Sequence, residues 1–305
     1  MKGLGRHTIG WLFILAAFCT PLGCQSLRIE GLNPRADKQG KEEQAALGPP
    51  PPSKRHFRIS QFVFWTDFEL KQDQPIFKEL AKLPDLVSKE LQLPLSHALV
   101  QVYLFEGREQ YERFMQIRYP DLPKRRAFFV AQPRAVGTTE DLLVYTHWGA
   151  RIQEDLRHEL THALLHSVLK DVPLWLDEGL AEYFELPPDT KGINGKHLEQ
   201  IRKDPPESFK PDLARLEELS QVQQMTPSEY REAWAWVHLI LADKPEAKAV
   251  LVQYLQQLRT NPTPGPLSPR LASIYPSLNE ALTKHLATLD IAKASPRPKN
   301  ALGIQ

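Results

Sequence analysis

His158 and His162 stand four residues apart, with Glu159 beside the first of them. On an α-helix four residues advance about 400° and rise about 6 Å, so the two imidazoles stand one turn apart on one face. That spacing is the bite of a single zinc ion, which neutral imidazoles ligate at about 2.0–2.1 Å. Glu159, at the edge of the same face, can reach a water on such an ion without being a ligand. Two histidines leave the set one short, and Glu178 follows His162 by 16 residues. That distance lets the first helix end near Lys170-Asp171, turn at Pro173, and lets a second, antiparallel helix carry Glu178 back. His/His/Glu plus water is the open, catalytic form of a zinc site.

Glu182 lies one turn beyond Glu178. Metal-bound histidines usually donate their second N–H to a carboxylate or carbonyl, and Glu182 is the first candidate for that acceptor, with Asp177 second. Attack on an amide carbonyl builds negative charge on oxygen, so a second donor beside the metal is expected. Tyr230, on one helical stripe with Trp234 and His238, is the first candidate; His238 and Tyr145 are weaker ones. His166, a turn after His162, reads as a supporting or surface residue because Glu178 serves better as ligand. No Gly-rich phosphate loop and no Gly-x-Ser-x-Gly elbow is present.

His-Glu-x-x-His followed by Trp-Leu-x-Glu-Gly-x-Ala-Glu-Tyr, at 158–162 and 175–183, resembles the gluzincin metallopeptidases, the clan of thermolysin-like and aminopeptidase-N-like enzymes. In particular it resembles uncharacterised bacterial peptidase-MA-like lipoproteins of that clan. The resemblance implies a zincin-like fold, a Zn²⁺ cofactor on His158, His162 and Glu178, Glu159 as general base, and a peptide or protein substrate. It also implies that the strand Leu142 to Thr146, just upstream of the metal helix, is an edge bordering the cleft, to which an extended substrate adds. The gap to the third ligand is shorter than in the aminopeptidases, and Asp177 stands where they usually carry asparagine.

The elements that must position these residues follow from the rest of the chain. Net charge is +1, from 38 basic and 37 acidic residues, so a nucleic-acid partner is not expected. Residues 1–23 read as a signal peptide, with Lys2 and Arg6 ahead of an apolar run from Ile9 to Phe18 that is too short to span a bilayer well. Thr20-Pro21-Leu22-Gly23-Cys24 resembles a bacterial lipobox, with Pro21 where leucine is more usual. Cys24 is therefore the expected lipidation site, and the chain is expected to be exported and anchored to a membrane, or otherwise secreted. Cys19 and Cys24 are the only cysteines, so the folded part has neither a disulfide nor a thiolate ligand. Residues 24–54, ending in Pro49 to Pro52, lack the apolar content to fold and read as a tether.

The folded unit is expected over 55–292, with a sheet part over 55–150 and a helical part over 151–292, and a disordered tail over 293–305. Phe57 to Phe64, His97 to Phe105, Ala127 to Val130 and Leu142 to Thr146 have strand patterns; Pro75 to Leu91 and Arg108 to Arg118 have helical ones. Asp189 to Asp212 reads as a surface loop or cleft rim, and Pro227 to Ala242, Ala247 to Leu258 and Leu278 to Leu289 as helices. The expected class is α+β: an N-terminal mixed or antiparallel sheet, a metal-binding helix pair and a C-terminal helical subdomain. The expected activity is zinc-dependent hydrolysis of a peptide bond. The alternatives are an inactive zincin-like binding or assembly lipoprotein, and a zinc hydrolase of a non-peptide amide such as a cell-wall cross-link.

Overall fold

The computed structural model describes residues 49–133, 140–205 and 208–294. The expected signal peptide, Cys24, most of the tether and most of the tail lie outside the described residues. Among the described residues no helix is long and apolar enough to cross a membrane.

Strands β1 (Arg55–Ile59), β2 (Phe62–Thr66), β3 (Val100–Phe105), β4 (Ala127–Pro133) and β5 (Glu140–His147) form one mixed sheet in the order β1-β2-β3-β5-β4. The three inner strands run parallel, and the two outer ones pair antiparallel with their neighbours. The period of two in the sequence sorts the side chains onto two faces. Val100, Val102, Leu104, Phe129, Ala131, Leu142 and Val144 enter the main core. Phe105, Phe128, Val130, Leu143 and Tyr145 face the other way, onto a smaller core with Tyr111, Phe114 and Met115 of α3 (Arg108–Arg118).

The strand expected at Leu142 to Thr146 exists, but it is not an edge. Within β5, β3 takes one row of backbone groups and β4 the other. The outer strand is β4, whose start, at Ala127, borders the cleft described below. Strand order is a tertiary property; the pattern Ala127 to Val130 carried no sign that this strand folds back outside the later one.

The expected helix Pro75 to Leu91 is two, α1 (Pro75–Leu80) and α2 (Leu83–Leu91). Pro84 has no N–H to donate to the preceding turn, so it is tolerated only in the first turn of a restarted helix. These two helices and α4 (Ile152–His166) contribute Leu80, Val87, Leu156 and Leu160 to the main core on one face of the sheet. A turn through Pro173 leads into α5 (Leu174–Phe184).

The stretch expected as a loop after Glu185 holds α6 (Gly195–Lys203), whose N-cap, Asn194, accepts from the His197 N–H. A short α7 (Leu213–Glu217) follows. Then come α8 (Pro227–Ala242), α9 (Pro245–Leu258), α10 (Ser268–Leu271) and α11 (Leu278–Thr288). Helix α8 starts at a capping box between Thr226 and Glu229. It lies directly on α5: a Cβ on Gly179 would stand 2.7 Å from the Ala233 carbonyl oxygen and 2.8 Å from Val237 Cγ2. Only the absence of a side chain at Gly179 lets the two backbones come this close.

Candidate metal centre

Helix α4 presents His158 and His162 as their spacing requires, with their Nε2 atoms 3.2 Å apart. Glu178, brought back by α5, puts Oε2 at 3.4 Å from His158 Nε2 and 3.6 Å from His162 Nε2. Donors at about 2.0–2.1 Å from one tetrahedral ion stand roughly 3.3 Å from each other. The three atoms therefore form the triangle of ligands that a zinc ion needs. Glu178 is buried, and its Oε2 has no hydrogen-bond partner. A buried carboxylate oxygen left without a donor is costly unless a cation completes it, so the residues present fit a divalent metal.

The far sides of both imidazoles meet carboxylates. His158 Nδ1 lies 3.0 Å from Glu185 Oε2. His162 Nδ1 lies 3.0 Å from Asp177 Oδ2, off the line of a well-aligned hydrogen bond, and His166 Nε2 lies 3.0 Å from the same oxygen. A proton on each Nδ1 leaves each Nε2 lone pair directed into the triangle. Asp177 thus stands where an outer partner is wanted, and His166 braces it.

Glu182 does not take the role expected of it. Its Oε2 pairs with His197 Nε2 at 2.9 Å and with Asn194 Nδ2 at 3.4 Å, both from the start of α6. Glu185 is the residue that reaches His158. It follows Glu178 by seven positions, two turns along the same face, and caps the C-terminus of α5. That i, i+4, i+7 run of glutamates was the available signal, and the nearer one is drawn off by a helix that the sequence pattern did not reveal.

Among the described residues no hydrogen bond or ion pair takes up the Glu159 carboxylate, which lines the cleft beside His158. Burial raises its pKa, with the charges of His158 and His162 working against that rise. Burial alone would lower the pKa of His158, but the Glu178 and Glu185 carboxylates beside it prevail and raise it well above the usual value. His162 is raised to about 10 in the same way, burial being outweighed by Asp177 and Glu178. Glu178 and Asp177 are both lowered; burial opposes this, and the histidine pairs win. A metal at this cluster must compete with protons for the same ligand atoms.

Tyr230, in the first turn of α8, is at the centre. Its hydroxyl donates to Glu178 Oε1 at 3.2 Å and accepts from Arg125 Nη2 at 2.5 Å. Arg125 comes from the segment before β4, and nothing in its sequence context singled it out. Its neighbour Arg126 makes a two-pronged pair with Asp155, in the first turn of α4, at 2.6 to 3.1 Å. The weaker candidates are elsewhere. Tyr145 faces the smaller core, its hydroxyl 3.2 Å from that of Tyr119. His238 is buried against His285, at 2.8 Å. A cleft of about 700 Å³ opens over His158 and Glu159, and charged side chains dominate its walls.

Residues 152–264 match a family described as a protein of unknown function (DUF1570). The matched segment begins at the first residue of α4 and includes His158, Glu159, His162, Glu178 and Tyr230; the sheet and Arg125 precede it. No curated protein matches the chain.

Proposed function

We propose that this chain is a zinc-dependent, peptidase-like hydrolase, with His158, His162 and Glu178 as ligands and Glu159 as general base. The observation that carries this reading is the triangle of donor atoms, with an unpartnered buried carboxylate oxygen at one corner and an unengaged carboxylate, Glu159, beside it. A zinc ion held there would polarise a carbonyl and lower the pKa of a water. Glu159 takes the proton from the attacking water and passes it to the leaving amine. Asp177 and Glu185 hold the two imidazoles by their Nδ1 atoms. The charged walls of the cleft suit a polar peptide or another polar amide. With Cys24 lipidated, the domain would act outside the cytoplasmic membrane at the end of its tether.

The test is Glu159→Gln in protein lacking the first 23 residues, assayed on peptide and cell-wall amide libraries. The substitution keeps the shape of the side chain and removes the proton acceptor. Zinc content should be unchanged and turnover lost. Turnover equal to that of the unaltered chain would remove Glu159 as base, and zinc binding without turnover by either protein on any amide would favour the binding or assembly role.

A further inference from the structure

We infer that Arg125, and not Tyr230, is the group that holds the anionic oxygen formed beside the metal; this rests on the hydrolase reading above. Tyr230 has one hydroxyl proton, and it is given to Glu178 Oε1 at 3.2 Å. The Tyr230 oxygen in turn accepts from Arg125 Nη2. Arg125 has five N–H donors in a fixed fork. Among the described residues its one hydrogen bond is to Tyr230, and the carboxylate nearest to it is Glu178, at 3.8 Å from Nη1.

Three other arginines of the cleft are paired at closer range than Arg125: Arg108 with Glu112 at 2.7 Å, Arg126 with Asp155 at 2.6 Å, and Arg231 with Asp204 at 3.2 Å. Arg125 is also held in position. Its guanidinium lies 5.5 Å from the centre of the Tyr230 ring and 5.8 Å from that of Phe128, with the side chain 31% exposed along the cleft. A fixed positive fork stands one carboxylate's width from the donor triangle, on the cleft side. Donors aimed in advance at the place where charge develops need no reorganisation as it forms.

In the step concerned, the water oxygen bonds to the carbonyl carbon, the carbonyl π pair moves onto its oxygen, and Glu159 takes the water proton. The C–N bond then breaks as the pair returns and nitrogen receives that proton. Arg125 binds the oxygen while it bears the extra pair and exchanges no proton itself.

Inorganic phosphate, a tetrahedral oxyanion, is the probe. It is titrated by calorimetry into zinc-loaded Arg125→Met, Arg125→Lys, Tyr230→Phe and Lys124→Met proteins, with zinc content and melting temperature checked for each. Arg125→Met should lose at least tenfold in phosphate affinity at full zinc content, and Arg125→Lys, which keeps the charge but not the fork, should lose less. Lys124→Met, a neighbouring cleft cation, should change by less than about fivefold, and Tyr230→Phe should bind more tightly than Arg125→Met. On any amide the chain cleaves, Arg125→Met should lower kcat by about 10²–10³-fold with little change in KM.

Phosphate binding unaffected in Arg125→Met, or lost in Tyr230→Phe alone, would overturn the inference. A raised KM with kcat intact would overturn it too, by making Arg125 an anchor for a substrate carboxylate. Because phosphate binding is read without turnover, Arg125-dependent binding can stand if no amide is cleaved, and Arg125-independent binding sinks the inference even in an active hydrolase.

Discussion

At the scale of single residues, the centre depends on which carboxylate meets which imidazole. Glu185 and Asp177 face the two Nδ1 atoms, whereas Glu182 is turned toward His197. Losing an outer partner typically costs about 10–100-fold in metal affinity. Glu185→Gln and Asp177→Asn should each weaken zinc binding by about that much, measured by competition with a chelator, and Glu182→Gln should bind zinc as the unaltered chain does. The opposite order would return Glu182 to the role its spacing suggested. The donor triangle was legible because it needs only helical geometry: a spacing of four between the histidines and a short return to Glu178. Arg125 was not, because its place beside Glu178 is set by a segment more than fifty positions away, and a basic pair before a strand has no distinctive pattern. Tyr230 was legible as a site residue, but its hydrogen-bond partners were not.

At the scale of elements, the site exists because α5 is clamped between α4 and α8. Gly179 stands on α5 next to Glu178, with the α8 backbone at Ala233 close against it. Gly179→Ala sets two effects against each other. A helix gains about 1 kcal/mol from alanine over glycine, whereas a Cβ 2.7 Å from backbone oxygen must push α8 away, and overpacking of this kind costs about 1–3 kcal/mol. The rigid backbone contact decides the sign, so urea unfolding should show a net loss of stability of up to about 2 kcal/mol. A more stable Gly179→Ala protein would mean that the helices separate freely. The faces of the strands were legible in their period of two. The break before Pro84 was missed, although proline's missing N–H was the available signal for it. Helix α6 was hidden in a polar stretch in which Leu198 is the buried helical residue.

At the scale of the whole molecule, the metal-free and metal-loaded proteins should differ in how stability follows pH. His162, raised to about 10 from 6.5, contributes stability that is fully present below pH 6.5 and lost as pH rises through about 10. Glu185 is raised to about 7, by burial and then by the charge of Glu182, and adds a loss in the same direction between pH 4.5 and about 7. On the acid side, His238 is held neutral by burial and by His285, its pKa lowered to about 3, so its contribution is present above pH 6.5 and lost as pH falls toward 3. Melting temperatures of chelator-treated protein should therefore decline from pH 6.5 to 10, and zinc should flatten that alkaline decline and steepen the acid limb, because protons displace the metal from the histidines as pH falls. Identical alkaline limbs with and without zinc would mean that the metal does not replace the protons of the histidine cluster. The mixed sheet was expected as a class, but its order was not, since β4 pairs outside β5 although it precedes it in the chain.

The most direct test is zinc stoichiometry in protein purified without the first 23 residues, compared with His158→Ala/His162→Ala. The unaltered chain should hold about one zinc ion per molecule, with nitrogen and oxygen ligands at about 2.0–2.1 Å by X-ray absorption, and the double variant should hold almost none. Near-stoichiometric zinc retained by the folded double variant would contradict the assignment of the metal to His158, His162 and Glu178.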